Sequence, residues 1–524
     1  MNSVPTYLDL FCGCGGFSLG MDRAGFRCLA AIDFNPEAIA TFRANFPALG
    51  EARVRQEDLT QFRPEDLVKI IGAERPDVIV GGPPCQGFST ARQRDGANHG
   101  VERFVEDPRR QLYKEFLRYV EFFQPRVFVM ENVLGLQSAA GGIYFTNVQH
   151  EARQLGYRVV AQVAEACKLG VPQKRRRQLI IGIRDTIPGF FPATITPAPR
   201  ATPGTTLGPA ISDLPSLAAG AGDETCAYDL TRRERHFVNC GEASRRYLHD
   251  VLEINRAISL TAHRARPHSE RDLRDFARLH EGENSAEAMR RDVEFEFPYD
   301  KTSFKDRYTR QSRAELCSTI VAHLSKDGLM FVHPTQNRSL TPREAARIQS
   351  FPDWFQFPVA RTHQFRIIGN AVPPLVAEAV GLEVREFLGA VKGRVKSDSM
   401  LPQSQAQAAA RLQDIARLDR SHLRACEKPT FLRGWFALFY LFPGLHPDNA
   451  LDHGDREEQW APEAPALPGL EDLSTDRFSR SGWPVALELI GHEASRRYDA
   501  GQLTDEEFYC ADAQRLGLQT SATT

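Results

Sequence analysis

The strongest chemical signal in the sequence is a cysteine that directly follows two prolines. Cys85 lies in GGPPCQGFS (81–89), a segment that follows the apolar run DVIVGG (77–82). Prolines stiffen a loop, and the loop after a strand of a parallel sheet faces the ligand crevice. A lone cysteine is usually structural, but an exposed, preorganised thiol near a cation is a candidate nucleophile. The position of Cys85 in this loop therefore favours nucleophilic catalysis.

A carboxyl group ends another apolar run of the same kind. Glu131 lies in RVFVMENV (126–133), where the predicted strand stops. A carboxyl group that is delivered there and partly desolvated would have a raised pKa and could share a proton with a heterocycle. Taken alone, Glu131 is equally typical of an acid that caps a helix.

Two arginines at positions i and i+2 could reach the same site. Arg175 and Arg177 belong to GVPQKRRRQLIIGIR (170–184) and share one face if this segment is extended. Lys174 and Arg176 would then face outward. In the site, the two guanidinium groups could lower the pKa of a thiol. The alternative is a basic edge strand without a part in the chemistry.

A glycine-rich loop provides a candidate cofactor site. DLFCGCGGFSLG (9–20) follows a short apolar strand, and Asp33 ends the next strand, where a carboxylate suits a ribose diol. The glycine spacing is not the dinucleotide one and no phosphate-binding lysine follows, which favours S-adenosylmethionine over a dinucleotide. In EDLT (57–60), Asp58 could lie beside an adenine amine, or could be the acid of a helix N-terminus.

Strand and helix patterns that could position these groups alternate over the first 185 residues. NPEAIATFRANF (35–46) has helical spacing with Asn35 as a plausible cap, and RQLYKEFLRYVEFF (110–123) is an amphipathic helix. YRVVAQVAEA (157–166) is a further strand candidate. Apolar strands that alternate with helices predict an α/β fold with a parallel, doubly wound sheet.

The regular pattern resumes near residue 338. In RSLTPREAARIQSFPD (338–353), Thr341 is expected to cap a helix and Glu344 to complete a capping box. In IIGNAVPP (367–374), Asn370 is expected in a left-handed turn, where it could also bond a ligand.

The sequence between these parts is irregular. Residues 188–209 are dense in proline and glycine, which predicts a linker or extended loops. Residues 231–278 contain 11 arginines against 7 acidic residues. This excess indicates either a solvated helical face or a surface that contacts phosphates.

Composition leaves a nucleic-acid partner open. The 524 residues are 42% hydrophobic and 25% charged, which excludes a collagen-like or wholly disordered chain. The net charge of −2 combines +5 in residues 1–394 with −7 in residues 395–524. The ten cysteines include no Cys-x-x-Cys pair, so we expect reduced thiols and no metal. We also expect no signal peptide, and FLRGWFALFYLF (431–442) is too short to cross a bilayer.

The motifs, taken in order, resemble those of the DNA (cytosine-5) methyltransferases. DLFCGCGGFSLG, GGPPCQGFS, ENV, PQKRRR, RSLTPREAARIQSFPD and GNAVPP carry the resemblance over about 1–185 and 338–385. It implies a catalytic domain with the Rossmann-like fold of S-adenosylmethionine-dependent methyltransferases and a smaller, irregular target-recognition domain. We assign residues 1–186, completed by 363–394, to the first and 187–362 to the second. Residues 395–524 form an acidic C-terminal extension without a recognised motif.

The resemblance also implies a role for each site residue. Cys85 would add to carbon 6 of cytosine, Glu131 would bind ring nitrogen 3, and Arg175 and Arg177 would hold the carbonyl oxygen. The residues expected to bind S-adenosylmethionine are Asp9, Phe11, Gly13, Gly15, Gly16, Asp33, Phe34, Asp58, Pro84 and Asn370. The family usually has glutamine where this chain has Ile367, a buried apolar replacement outside the chemistry, and Cys14 is expected to serve packing.

The expected partner is double-stranded DNA, with the target cytosine turned out of the helix. We expect a cytoplasmic, monomeric enzyme of a bacterial restriction–modification system, and a cognate restriction endonuclease could be encoded by a neighbouring gene. An amino-methyltransferase is disfavoured because it typically has an aromatic residue at the position of Cys85. An RNA (tRNA) cytosine-5 methyltransferase of the same fold and a catalytically silent DNA-binding regulator remain alternatives.

Overall fold

The computed structural model describes residues 4–84, 112–138, 142–187, 191–192, 194–257, 259–297 and 308–396, with side chains up to residue 389. Cys85 and the C-terminal extension from residue 397 lie outside the described residues.

A seven-stranded sheet forms the centre of the fold, as the alternation of strands and helices predicts. Its order is β3-β2-β1-β4-β5-β7-β6, and the pairs β1/β2, β1/β4, β2/β3 and β4/β5 are parallel. The strands are β1 (Thr6–Leu10), β2 (Arg27–Asp33), β3 (Val54–Gln56), β4 (Val78–Gly81), β5 (Val127–Asn132), β6 (Tyr157–Glu165) and β7 (Arg176–Arg184). Every residue of β1, β4 and β5 is buried, which explains their continuous apolar runs.

The helices of this part connect the strands. They are α1 (Gly16–Arg23), α2 (Pro36–Asn45), α3 (Pro64–Ile71), α4 (Leu112–Phe123), α5 (Gly135–Ser138) and α6 (Ile143–Gln154). The predicted cap of α2 is confirmed, because the Asn35 side chain accepts a hydrogen bond from the Ala38 N–H at 2.8 Å.

The strand order reverses direction between β1 and β4, which makes this the point where ligands bind in open α/β sheets. The two strands approach closely here. A Cβ atom on Gly81 would lie 2.1 Å from the Leu10 carbonyl oxygen, so only glycine fits at the end of β4.

Residues 194–257, 259–297 and 308–340 contain mostly short elements. A two-stranded antiparallel sheet pairs β8 (Thr225–Ala227) with β9 (Ser259–Thr261). The helices are α7 (Leu207–Ile211), α8 (Leu230–Asn239), α9 (Glu242–Arg246), α10 (Glu270–Ala277) and α11 (Ser285–Met289). A cluster of buried aromatic side chains, Phe276, Phe295, Phe297 and Tyr308, packs with ring centroids 5.1–6.2 Å apart.

Three helices follow: α12 (Pro342–Ile348), α13 (Arg361–Asn370) and α14 (Pro374–Lys396). The predicted capping box of α12 is confirmed by reciprocal bonds between Thr341 and Glu344. Both carboxylate oxygens of Glu344 also accept from the buried Arg338 at 2.7 and 2.8 Å. The positive charge of Arg338 keeps the pKa of Glu344 well below its usual range, against the effect of burial.

The chain forms two compact units. Among the described residues, one unit lies within Met1–Glu151, Ala161–Ile181 and Ile195–Arg385, and the other within Ala152–Val160, Gly182–Thr194 and residues 386–396. The domain limits drawn from the sequence stay predictions. Within the described residues, the stretch Arg361–Gly389 is long and apolar enough to span a membrane, but 89% of its most apolar window is buried, as in a core helix.

Two histidines near α12 are held neutral by their surroundings. Nδ1 of His333 accepts the backbone N–H groups of Thr335 and Gln336, and Nε2 of His268 accepts the N–H of Ser339. Burial lowers the pKa of each histidine to about 4. Protonation would place an N–H where each ring now accepts one.

These contacts predict a pH-dependent stability. The unfolded chain binds protons at both histidines near pH 6.5, whereas the folded chain does so only near pH 4, so their contribution to stability decreases as the pH falls through this window. Between pH 7 and pH 5, the wild type should lose about 5 °C more in Tm than a His333→Asn, His268→Gln double variant, which keeps the acceptors without the titration. Equal losses in differential scanning calorimetry would contradict this.

Candidate functional site

The loop after β1 has an unusual backbone. Phe11, Gly13 and Gly15 all have positive φ, at 57°, 55° and 94°. Left-handed conformation is costly for a residue with a side chain, so the loop holds Phe11 under strain of the kind found at ligand sites. The sequence predicted a glycine turn at the end of this strand, and the structure adds that Phe11 itself has the left-handed backbone.

The three glycines of this loop have different surroundings. A Cβ atom on Gly15 would lie 2.5 Å from the Phe46 ring, and one on Gly16 would lie 2.3 Å from the Val372 carbonyl oxygen. A Cβ atom on Gly13 would meet no atom of the described residues within 4 Å. Gly15 and Gly16 therefore permit close packing, whereas the chain leaves space beside Gly13.

Asp33 shapes this loop from the end of β2. Its carboxylate accepts the Gly13 N–H at 2.9 Å through Oδ2 and the Asn35 N–H at 2.8 Å through Oδ1. Burial raises the pKa of Asp33, and these two hydrogen bonds oppose the shift. Each oxygen has lone pairs left for another donor. The next residue, Phe34, exposes 70% of its surface and offers an aromatic face beside the carboxylate.

Asp9 lies under α1 and is buried. Its Oδ2 accepts the Ser18 hydroxyl at 2.6 Å, and its Oδ1 is buried without a hydrogen-bond partner among the described residues. Burial raises the pKa of Asp9 to about 8, so the carboxyl group holds its proton near neutral pH.

Two other predicted ligands of the cofactor are exposed. The Asp58 carboxylate accepts the N–H and hydroxyl of Thr60 at 2.9 and 2.8 Å, which makes it the cap of a turn rather than of a helix. The expected left-handed turn at Asn370 is wrong, because this residue is the last of α13 and has no positive φ. The helical backbone continues there since the Ala371 N–H bonds to the Ile367 carbonyl at 3.1 Å.

A buried ion pair connects the end of β5 with the start of β7. Arg177 Nε lies 2.9 Å from Glu131 Oε1, and the two side chains expose only 14% and 10% of their surface. Burial lowers the pKa of Arg177, and the Glu131 charge opposes this effect. A Cβ atom on Gly82 would lie 3.2 Å from Glu131 Oε2, so the carboxylate faces the loop that leads to Cys85.

Arg175 does not share this pairing. Its guanidinium group is fully buried and donates to the carbonyl oxygens of Ile320 and Ala371 at 2.8 Å and of Gly369 at 3.4 Å. Burial lowers its pKa well below the usual value, and Arg177 adds to the shift. Packed backbone therefore takes up the donors of Arg175, and of the two arginines only Arg177 lies beside Glu131. Lys174 and Arg176 are exposed, as predicted.

Three residues with a part in this arrangement were missed from the sequence. Gln173 donates to the Ile348 carbonyl at 3.0 Å and to Gln349 Oε1 at 2.6 Å, and Gln349 donates to the Ile368 carbonyl at 2.7 Å. Asn132 donates to the Pro83 carbonyl at 3.5 Å, which links β5 to the proline loop. The signal for Gln173 was its position two residues before Arg175, on the same face.

Pro84, the last described residue before Cys85, is exposed. Two expectations about packing are confirmed, since Cys14 and Ile367 are both buried. Burial raises the pKa of the Cys14 thiol to about 12, which makes it an unreactive thiol at neutral pH.

The chain is similar to known methyltransferases over most of its length. The family model for C-5 cytosine-specific DNA methylase matches residues 6–386. The type II methyltransferase M1.HphI of Haemophilus parahaemolyticus is 36% identical, over 72% of this chain and 85% of that protein. The type II methyltransferase M.DdeI of Desulfomicrobium norvegicum is 35% identical, over 71% of this chain and 86% of that protein.

A solved structure agrees with these matches. The crystal structure of a protein encoded within an E. coli prophage, described as a DNA modification methyltransferase, is 27% identical, with a TM-score of 0.56. It covers 74% of this chain and 99% of its own. Together with the parallel sheet, the left-handed glycine loop and the Glu131–Arg177 pair, these matches show that the chain belongs to the C-5 cytosine-specific DNA methylase family and is a DNA (cytosine-5-)-methyltransferase.

Proposed function

We propose that this enzyme transfers a methyl group from S-adenosylmethionine to carbon 5 of a cytosine within a specific sequence of double-stranded DNA. The observation that carries the proposal is the buried Glu131–Arg177 pair, which faces the loop preceding Cys85. A carboxyl group and a guanidinium group 2.9 Å apart match the ring nitrogen and the neighbouring carbonyl oxygen of cytosine.

The reaction needs a nucleophile because carbon 5 of cytosine is itself a weak one. The Cys85 thiolate adds to carbon 6, and the electron pair of the 5,6 double bond moves to carbon 5. Glu131 shares its carboxyl proton with ring nitrogen 3 through a hydrogen bond, which spreads the negative charge of the adduct over the ring. Arg177 donates to the carbonyl oxygen and stabilises the same charge. After carbon 5 is methylated, its proton passes to water and the Cys85 thiolate leaves, which restores the double bond.

S-adenosylmethionine, when bound, supplies the methyl group as an electrophilic sulfonium. The described residues fit such a ligand, because space is open beside Gly13 and both Asp33 oxygens can accept hydroxyl groups. Phe34 offers an exposed ring at the same edge, and Phe11 is held in the strained loop. The other residues that we propose to contact the cofactor are Gly15, Gly16, Pro84 and the exposed Asn370 and Asp58. Asp9 supports the loop indirectly, through its hydrogen bond to Ser18 of α1.

The biological role that we propose is protection of host DNA. The relatives named above are type II methyltransferases, and such an enzyme would modify the sites cut by a cognate restriction endonuclease. The target base must leave the duplex to reach a buried pair, which costs a few kcal/mol of stacking. We place the enzyme in the cytoplasm as a monomer.

The nucleophile is tested by replacing Cys85 with serine. Because a hydroxyl group is a much weaker nucleophile, Cys85→Ser should abolish methyl transfer, measured with radiolabelled S-adenosylmethionine, while calorimetric binding of the cofactor survives. The wild type should form a covalent complex with DNA that contains 5-fluorocytosine, visible by denaturing gel. Full activity of the serine variant, or no adduct with the wild type, would overturn the mechanism.

The role of Glu131 is tested by Glu131→Gln, which keeps the shape but removes the exchangeable carboxyl proton. Single-turnover methyl transfer should fall by about 10²–10⁴, the usual contribution of a positioned acid, with little change in cofactor affinity. Gln137→Ala, on the neighbouring helix α5, serves as the matched control and should retain activity. A Glu131→Gln enzyme as fast as the wild type would leave the ion pair without its proposed function.

Arg175 and Arg177 should differ in what their loss affects. Arg175→Met leaves buried carbonyl oxygens without donors and should lower the free energy of unfolding by about 3 kcal/mol. Arg177→Met leaves the buried Glu131 carboxylate without its partner and should cost a similar amount of stability, but it should also lower the methyl-transfer rate of the folded enzyme. Urea unfolding and single-turnover rates separate the two. If Arg175→Met kept its stability and lost only the rate, Arg175 would contact the base directly.

A further inference from the structure

The arginine-rich segment 231–278 is less available for DNA than its composition indicates. Most of its guanidinium groups bind within the protein. Arg232 donates to the Ser212 carbonyl, Arg233 to those of Ile254 and Ala257, and Arg278 to Asp275 and Glu296. Of the two interpretations of this segment, a surface that contacts phosphates is therefore limited to the few arginines that remain available, and one group of them lies near α13.

Three arginines gather near the start of α13. Arg266 donates to the carbonyl oxygens of residues 324–326 at 2.7–3.1 Å, and Arg361 donates to that of Ala265 at 2.9 Å. Arg264 is exposed, and within the described part of the chain its guanidinium group has no hydrogen bond or ion pair. We call Arg264, Arg266 and Arg361 the arginine cluster.

The members of the cluster repel one another. Burial lowers the pKa of Arg266, and the charge of Arg361 lowers it further. Burial also lowers the pKa of Arg361, with Arg264 as the next cause. Two carboxylates oppose this repulsion, Asp327 for Arg266 and Glu224 for Arg361, but the pKa of both arginines stays lowered. The cationic charge is thus only partly compensated.

The backbone adds to the positive potential. Arg361 is the first residue of α13, whose first turn contains no acidic residue and whose N-cap has no side-chain hydrogen bond. A helix N-terminus carries partial positive charge, so a cation is unfavourable there and an anion is favourable. The fold therefore holds three positive charges close together beside a helix N-terminus, although they repel one another. A bound anion would relieve this repulsion.

The helix that begins at the cluster contacts the segment that follows the proposed cofactor residues of β2. Glu37, in the first turn of α2 just after Asp33 and Phe34, pairs with His363 and Arg366 of α13 at 3.1 Å. The ten residues of α13 span about 15 Å, so Arg361 lies roughly that distance from Asn370 at the other end.

We propose that the arginine cluster binds a backbone phosphate of the DNA duplex and positions the duplex over the site. This inference rests on the proposed function, since it assigns a contact for the same substrate. Arg264 and Arg361 supply the donors that face the phosphate, and Arg266 holds the segment 324–326 against them. Such contacts set register and orientation without reading the sequence.

The test is the salt dependence of DNA binding by the full-length enzyme. Fluorescence anisotropy with a labelled 30-base-pair duplex, between 50 and 200 mM KCl, gives the slope of log affinity against log salt. Each phosphate contact contributes about 0.9 to this slope. An Arg264→Gln, Arg361→Gln double variant should reduce the slope by about 1 and the affinity at 100 mM KCl by about tenfold.

The matched control is Arg27→Gln. Arg27 is also half-exposed but begins β2, at the opposite edge of the sheet, where it pairs with Glu74. Its slope should equal that of the wild type. Loss of Arg361 also removes its hydrogen bond to the Ala265 carbonyl and could disturb the fold. The single variant Arg264→Gln avoids this change and should by itself lower the slope. Arg264→Lys should restore it.

The outcomes separate the cluster from the enzyme's function. An unchanged slope for both glutamine variants, in a preparation whose wild type methylates duplex DNA, would overturn the cluster alone. A rise in Tm with 10 mM inorganic phosphate that these variants lose, with the DNA slope unchanged, would identify a free-anion site and also overturn it. A wild type that binds the duplex with the expected slope but never methylates it would overturn the proposed function instead.

Discussion

The burial of one cation among backbone carbonyl groups is the constraint on which the site depends. Arg175 donates to the carbonyl oxygens of Ile320, Gly369 and Ala371, so it joins three segments that are far apart in the sequence. Buried carbonyl groups require donors, and a charged donor makes the stronger bonds. Arg177, the partner of Glu131, lies two residues after Arg175. The contacts of Arg175 with the end of α13 therefore also fix the position of Arg177.

Buried ion pairs connect short segments in the part of the chain between residues 194 and 353, where no large sheet is described. Arg347 bonds to both Asp213 and Asp353 with all three side chains fully buried, and Arg338 holds Glu344 in the same way. Such pairs add little net stability, since desolvation offsets most of their attraction, but a broken pair is costly. They therefore define which short segments meet, where regular secondary structure provides few contacts.

Local signals were read correctly from the sequence, and contacts between distant segments were not. The Asn35 cap and the Thr341–Glu344 box depend on neighbours within a few residues, and the parallel sheet was predicted from the local alternation of apolar strands with helices. The i, i+2 spacing identified the face that Arg175 shares with Arg177, but not the backbone that covers it. Likewise, a glycine beside Asn370 suggested a left-handed turn, whereas tertiary packing extends the helix through it. Composition cannot show which arginines will meet a carbonyl group.

Buried and exposed residues alternate in the segment from Gln173 to Arg177. Gln173 and Arg175 are buried and Arg177 meets Glu131, whereas Lys174 and Arg176 are exposed, with Lys174 3.3 Å from Glu315. Selection can therefore change the surface charge of this segment without disturbing its interior. Homologues should tolerate substitution at every second position here, and an engineer who wishes to retune the enzyme's electrostatics has two adjustable positions within an otherwise fixed motif.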